Sequence, residues 1–287
     1  MRLRDALLPP RDFFIPWRDR GGRFCPIRIP ALLLLIAPAL FFTFDIATEG
    51  FGPEPLKQTT QFTGLWALRF LLLSLTVTPA GRILGWPRLF QIRRMLGLGA
   101  LAWVGLHALL YVVDQDGMIG KVVSEIALRF YLTIGFVAVL GLVVLAFTST
   151  DQWVRALGRR WKKLHRLVFP ITVLAILHAV IQAKSNASEP LVMLGLLLWL
   201  VGWRLIPPEH AVKLWVLAGL TSAAAMATAG LEYLWYANFT NLPAARIFTA
   251  NFDWVVAPRP ALEVALIPAA FIAITAARRL AERLARA

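Results

Sequence analysis

The chain has 287 residues, of which 59% are hydrophobic, and a mean hydropathy of +0.67. A soluble domain is not so apolar, and repeated apolar stretches of about 17–25 residues mean transmembrane helices. The net charge of +14, with 30 Lys and Arg against 16 Asp and Glu, would suggest nucleic acid in a soluble protein; in a membrane protein it reflects cations held on the cytoplasmic side, and no nucleic-acid partner is expected.

Residues 1–26 are polar, basic and proline-rich and read as a cytoplasmic or interfacial tail. Ala37-Pro38-Ala39 mimics a signal-peptide cleavage site, but the preceding tail is too long and the apolar core continues through Phe41-Phe42. Eight spans are expected, at 27–47, 62–80, 95–113, 130–148, 164–183, 190–206, 211–231 and 261–278. Between them fall the breakers Gly52-Pro53-Glu54-Pro55, Thr78-Pro79-Ala80-Gly81, Asp114-Gln115-Asp116-Gly117 and Pro207-Pro208. The fold class is therefore all-α, a polytopic transmembrane helical bundle. No loop is long enough for a separate soluble domain, and no internal repeat is evident. The single cysteine, Cys25, excludes an intrachain disulfide, a four-cysteine iron–sulfur cluster and CxxCH haem attachment, so any haem is non-covalent.

The cations set the orientation. Put the tail, the 81–94, 149–163 and 207–213 connections and the C-terminus on one side, with basic residues at the span ends. That side then holds 23 of the 30 Lys and Arg and the other side 6, while Arg69 lies inside a span. Both termini are expected in the cytoplasm.

Of four histidines, three lie in apolar segments. His107 and His178 sit near the outer ends of the third and fifth spans, which run in the same direction. Two neutral imidazoles at matched depth suit six-coordinate haem iron, which leaves no open position and favours electron transfer. A lone intramembrane histidine is more often a hydrogen-bonded bundle residue or a proton relay; the matched depth is what favours the pair. His165 opens the fifth span on the inner side, about 20 Å before His178 along a helix and about 140° away in azimuth. Pro170 lies between them, where a kink changes that phase. The third span offers no inner histidine; Arg94 stands where one would be needed. His165 thus binds a second haem with a weaker or non-histidine partner, or only contacts a cofactor edge, or borders the basic loop without a ligand. His210, beside Pro207-Pro208-Glu209, reads as a solvated loop residue.

Arg69 is the other costly residue. It pairs with a haem propionate through its bidentate fork, or it snorkels or pairs with Asp45. The cations from Arg155 to Arg166 read first as an anchor facing anionic lipid, with a flavin phosphate or inner propionates as the rival. No GxGxxG follows a strand, there is no P-loop, and no Ser/His/Asp set can be placed at one depth. Electrons must therefore enter from a mobile donor or a separate flavoprotein and leave to a partner.

Several stretches carry a resemblance: Thr63-Gly64 through Thr78-Pro79, Arg93-Arg94-Met95-Leu96-Gly97-Leu98 leading to Leu106-His107, Arg129-Phe130-Tyr131-Leu132-Thr133-Ile134-Gly135, Leu145-Ala146-Phe147-Thr148-Ser149-Thr150, and Leu157-Gly158 through Phe169 with His178 beyond. In that order they make residues 50–206 similar to the MsrQ-type (YedZ-like) haem-binding membrane subunits of the periplasmic methionine sulfoxide reductase system, within the ferric-reductase-like transmembrane group. The resemblance implies haem b and FMN, the latter on no residues that map here. It implies electrons from the quinone pool or a cytoplasmic flavin reductase. The acceptor would be a periplasmic molybdenum-containing methionine sulfoxide reductase, and the location the bacterial inner membrane. Family haem ligation maps onto His107, His165 and His178. Residues 27–206 would form a six-span haem-binding core and 207–287 an extension with two further spans, in which Glu232, Tyr233, Trp235, Tyr236 and Trp254 read as an interfacial belt.

The expected function is transmembrane electron transfer without substrate chemistry in this chain. Two other classes stay open: a ferric reductase or quinol-linked cytochrome b acting on a small acceptor, and a colourless transporter or proton channel with His107, His178 and Arg69 lining a polar path.

Overall fold

The computed structural model describes Trp17 and residues 24–50, 52–184, 186–254 and 258–285. Of the 1–26 tail, all but Trp17 and residues 24–26 lie outside the described residues. Among those described there is no strand; the elements are α1 (Arg28–Glu49), α2 (Pro55–Ile83), α3 (Arg93–Asp114), α4 (Ile119–Leu128), α5 (Phe130–Phe147), α6 (Asp151–Leu157), α7 (Arg159–His165), α8 (Val168–Gln182), α9 (Ser188–Leu205), α10 (Leu214–Phe239), α11 (Ala244–Ala250) and α12 (Pro260–Leu284). Eight helices are long and apolar enough to cross a membrane: α1, α2, α3 with the 3-10 turn before it, α5, α7 and α8 taken together, α9, α10 and α12. These are the eight expected spans, and the chain is a multi-pass membrane protein.

The breaks follow local chemistry. Asp116 and Gly117 both take left-handed φ (58° and 71°), which lets Gly117 N–H return to the Val112 carbonyl at 2.9 Å and close α3. Thr150 caps α6 by accepting from Trp153 N–H at 3.4 Å. Gly158, at φ 49°, separates α6 from α7. The fifth span is not one ideal helix: His165 ends α7, Arg166 and Leu167 form a turn, and Pro170 stands in the first turn of α8, where a missing N–H costs little.

The chain divides into two compact units. The first comprises the described residues up to Ser74 and Gln91–His178. In it α1 packs on α3, with Trp103 Nε1–H donating to the Leu35 carbonyl at 3.2 Å. An aromatic cluster ties α1, α2 and α3: Phe42 stacks on Phe62 at 4.2 Å, and Phe62 and Phe70 meet Trp103 at 6.2 and 5.9 Å. The short helix α4 folds back on α5, where Thr133 Oγ1–H donates to the Ile126 carbonyl at 2.6 Å.

The second unit comprises Leu75–Phe90 and the described residues from Ala179. Here α9, α10 and α12 pack through small residues, as membrane helices do without a hydrophobic driving force; Gly195 lies against Thr228 and Val264. Trp199 Nε1–H donates to Thr221 Oγ1 at 3.0 Å. Glu232 is fully buried, accepts from Arg259 at 2.6 Å and from Asn251, and Asn251 Oδ1 in turn accepts Ala261 N–H at 2.9 Å. Glu232 and Tyr236 therefore do not belong to an interfacial belt. The helical period puts them on the inner face of α10 with Thr228 and Ala229, while Tyr233 and Trp254 are exposed.

Candidate functional site

α3 and α8 each bring one histidine to the same place in the first unit. The ring centroids of His107 and His178 are 6.3 Å apart and their planes are inclined by 79°. Each ring uses Nδ1 on a backbone carbonyl of a third or fourth helix. His107 Nδ1–H donates to Thr60 O on α2 at 2.7 Å, and His178 Nδ1–H donates to Tyr131 O on α5 at 2.8 Å. A carbonyl can only accept, so each neutral ring carries its proton on Nδ1 and presents Nε2 as a lone pair. Metal-bound histidines are held in this way, by a partner on the second nitrogen.

The spacing fits a metal held between the rings. Two metal–nitrogen bonds of about 2 Å, with about 1 Å more from each nitrogen to its ring centre, separate axial imidazole centroids by about 6 Å. The observed separation has that size. No cluster of three or more His, Cys, Asp or Glu suited to a metal ion occurs among the described residues, so a two-ligand centre whose other positions come from a macrocycle is what the donor set suits.

The other expected site residues are placed elsewhere. His165 stacks on Trp161 at 3.9 Å, its Nδ1 lies 3.3 Å from the Trp161 carbonyl, and its Nε2 lies 3.2 Å from the Leu145 carbonyl and 3.3 Å from Ser149 Oγ. Arg69 lies over the ring of Trp66 at 4.7 Å, on the aromatic face of α2. His210 is half-exposed beside Glu209, as a loop residue. Arg155, Arg159, Arg160, Lys162, Lys163 and Arg166 are all exposed. Near the pair, Arg129 donates to the Tyr131 hydroxyl at 3.3 Å and pairs with Glu125. The Tyr131 bond, more than the acid, holds the Arg129 guanidinium above its ordinary pKa.

Sequence reasoning did not find Thr60 and Tyr131, whose contribution is a carbonyl and leaves no side-chain signal. It also missed a shared spacing. One step of 71 residues carries Thr60 to Tyr131 and His107 to His178, and Leu106-His107-Ala108 recurs as Leu177-His178-Ala179.

Fold and site together define a polytopic helical membrane protein with a histidine pair clasped between two spans. Residues 63–176 match the ferric reductase like transmembrane component family. The chain is 42% identical over 158 residues to the protein-methionine-sulfoxide reductase heme-binding subunit MsrQ of Xanthomonas campestris pv. campestris, covering 55% of this chain and 72% of that one. It is 41% identical over 192 residues to the MsrQ subunit of Rhodospirillum rubrum, covering 66% and 90%. The chain belongs to the MsrQ family. No solved structure matches it.

Proposed function

We propose that the chain is a transmembrane electron-transfer subunit that holds haem b between His107 and His178 and serves a protein-methionine-sulfoxide reductase. The observation that carries this reading is the ring pair, spaced at 6.3 Å with both Nδ1 atoms committed to carbonyls. The relatives' names, which describe a heme-binding subunit, support it. His107 and His178 would hold the haem, which would supply a one-electron centre there. The residues of the chain do the rest: the carbonyls of Thr60 and Tyr131 fix tautomer and ring orientation, and the apolar spans exclude water. Arg69, held over Trp66, serves as counter-charge to a propionate. His165 marks the inner end of the path, where it borders the basic α6–α7 segment.

The cation asymmetry supports a placement with both termini in the cytoplasm of a bacterial inner membrane and the histidine pair toward the periplasm. A quinol or a cytoplasmic flavin reductase then delivers electrons, and a periplasmic molybdenum-containing partner accepts them. The test is a reduced-minus-oxidised visible spectrum of the purified chain, with His107→Ala and His178→Ala beside it. A low-spin haem signal lost in both variants is expected. Retention in either reassigns the ligand, and a colourless wild-type protein returns the transporter reading.

A further inference from the structure

We infer that Gly64 and Gly135 are paired positioning residues that hold the two imidazole planes nearly at right angles; the inference rests on haem ligation by His107 and His178. The 71-residue step that relates the histidines and their carbonyls also relates these glycines, within Gly64-x-x-Ala67-x-x-x-Leu71 and Gly135-x-x-Ala138-x-x-x-Leu142. All four of Ala67, Leu71, Ala138 and Leu142 are buried. In each half the glycine lies four residues beyond the carbonyl that holds the ring. Four residues bring a helix back to nearly the same face, one turn along. Each histidine thus meets a notch made of a carbonyl and, one turn on, a missing side chain.

The notch fits closely. A Cβ on Gly64 would stand 2.9 Å from His107 Nδ1 and 3.0 Å from Cε1; one on Gly135 would stand 2.8 Å from His178 Nδ1 and 3.0 Å from Cε1. Carbon does not approach so near without displacement. The rings cannot withdraw without stretching hydrogen bonds of 2.7 and 2.8 Å. Carbonyl and glycine together therefore fix each ring's rotation, and the two notches set the 79° between the planes. Perpendicular axial planes leave two iron d orbitals nearly equal in energy. Oxidised low-spin iron then gives a strongly anisotropic resonance with one low-field feature, whereas parallel planes give a three-line rhombic signal.

The experiment is electron paramagnetic resonance of the oxidised, haem-loaded full chain, beside Gly64→Ala, Gly135→Ala and the controls Gly97→Ala and Gly105→Ala. The controls lie on α3, where an added Cβ meets nothing within 4 Å. The wild type and both controls are expected to show the anisotropic signal, and each notch variant to shift toward the rhombic form with low-spin haem retained. Loss of haem from a notch variant that keeps its helix content, with the controls loaded, is the same displacement carried further. A rhombic wild-type signal, or notch variants indistinguishable from wild type, overturns the inference while leaving ligation standing. Absence of low-spin haem in the wild type overturns ligation itself. Should one notch variant fail to fold, the wild-type signal and the other variant decide.

Discussion

Arg259→Met tests the buried ion pair of the second unit. Glu232 has no exposed surface, and its carboxylate is satisfied by Arg259 at 2.6 Å and by Asn251. Removing one partner of a buried pair costs about 3–5 kcal/mol, because the other charge stays behind uncompensated. The Arg259 side chain is 29% exposed, so water screens part of the pair, which puts the expected loss at the lower end, about 3 kcal/mol, or roughly a hundredfold in the unfolding equilibrium. Methionine keeps most of the stem's packing, so the loss reports the charge. In a Glu232→Gln background no charge is stranded, and the same substitution should cost about 1 kcal/mol, the scale of one hydrogen bond. The coupling of about 2 kcal/mol is read from a double-mutant cycle, with helix content followed through a dodecyl sulfate titration in mixed micelles. Equal costs of Arg259→Met in both backgrounds would refute the reasoning.

Three further outcomes are expected. Arg69→Gln should lower the haem midpoint potential, as the proposed role of Arg69 as counter-charge to a propionate requires, and leave the low-spin spectrum in place; an unchanged potential removes Arg69, which lies over Trp66, from the haem site. His165→Ala should retain the low-spin signal of the His107–His178 pair, because its ring nitrogens lie against Leu145, Trp161 and Ser149 rather than the other histidines; disappearance of that signal contradicts the placement. In a Cys25→Ser background, Ala285→Cys should react with an impermeant thiol reagent in inside-out vesicles and not in intact spheroplasts; the reverse pattern inverts the topology.

Much of the fold was legible because hydropathy alone marks a span, and all eight spans fall on apolar runs; the expected breaker Thr78-Pro79-Ala80-Gly81, however, lies inside α2, which runs on to Ile83 with Pro79 within it. The short helices α4, α6, α7 and α11 were not legible, since seven to ten residues carry too few periods to stand out. Matched depth was enough to single out His107 and His178. Depth says nothing of azimuth, however, so the carbonyls of Thr60 and Tyr131 could not be foreseen. The shared 71-residue spacing escaped because the two stretches agree at few positions, such as Leu-His-Ala and Gly-x-x-Ala-x-x-x-Leu, within segments where Leu, Val and Ala recur by composition anyway. Glu232 was misplaced for a related reason: beside Tyr233, Trp235 and Tyr236 it resembled a belt, and only the packed face of α10 shows it turned inward.

The most direct measurement is an experimental density map of the purified, coloured chain at a resolution that shows side chains. The account predicts a macrocycle between α3 and α8, with the Nε2 atoms of His107 and His178 about 4 Å apart across one iron and both Nδ1 atoms on the carbonyls of Thr60 and Tyr131. Imidazoles turned away from one another, or a macrocycle held by other residues, would contradict it.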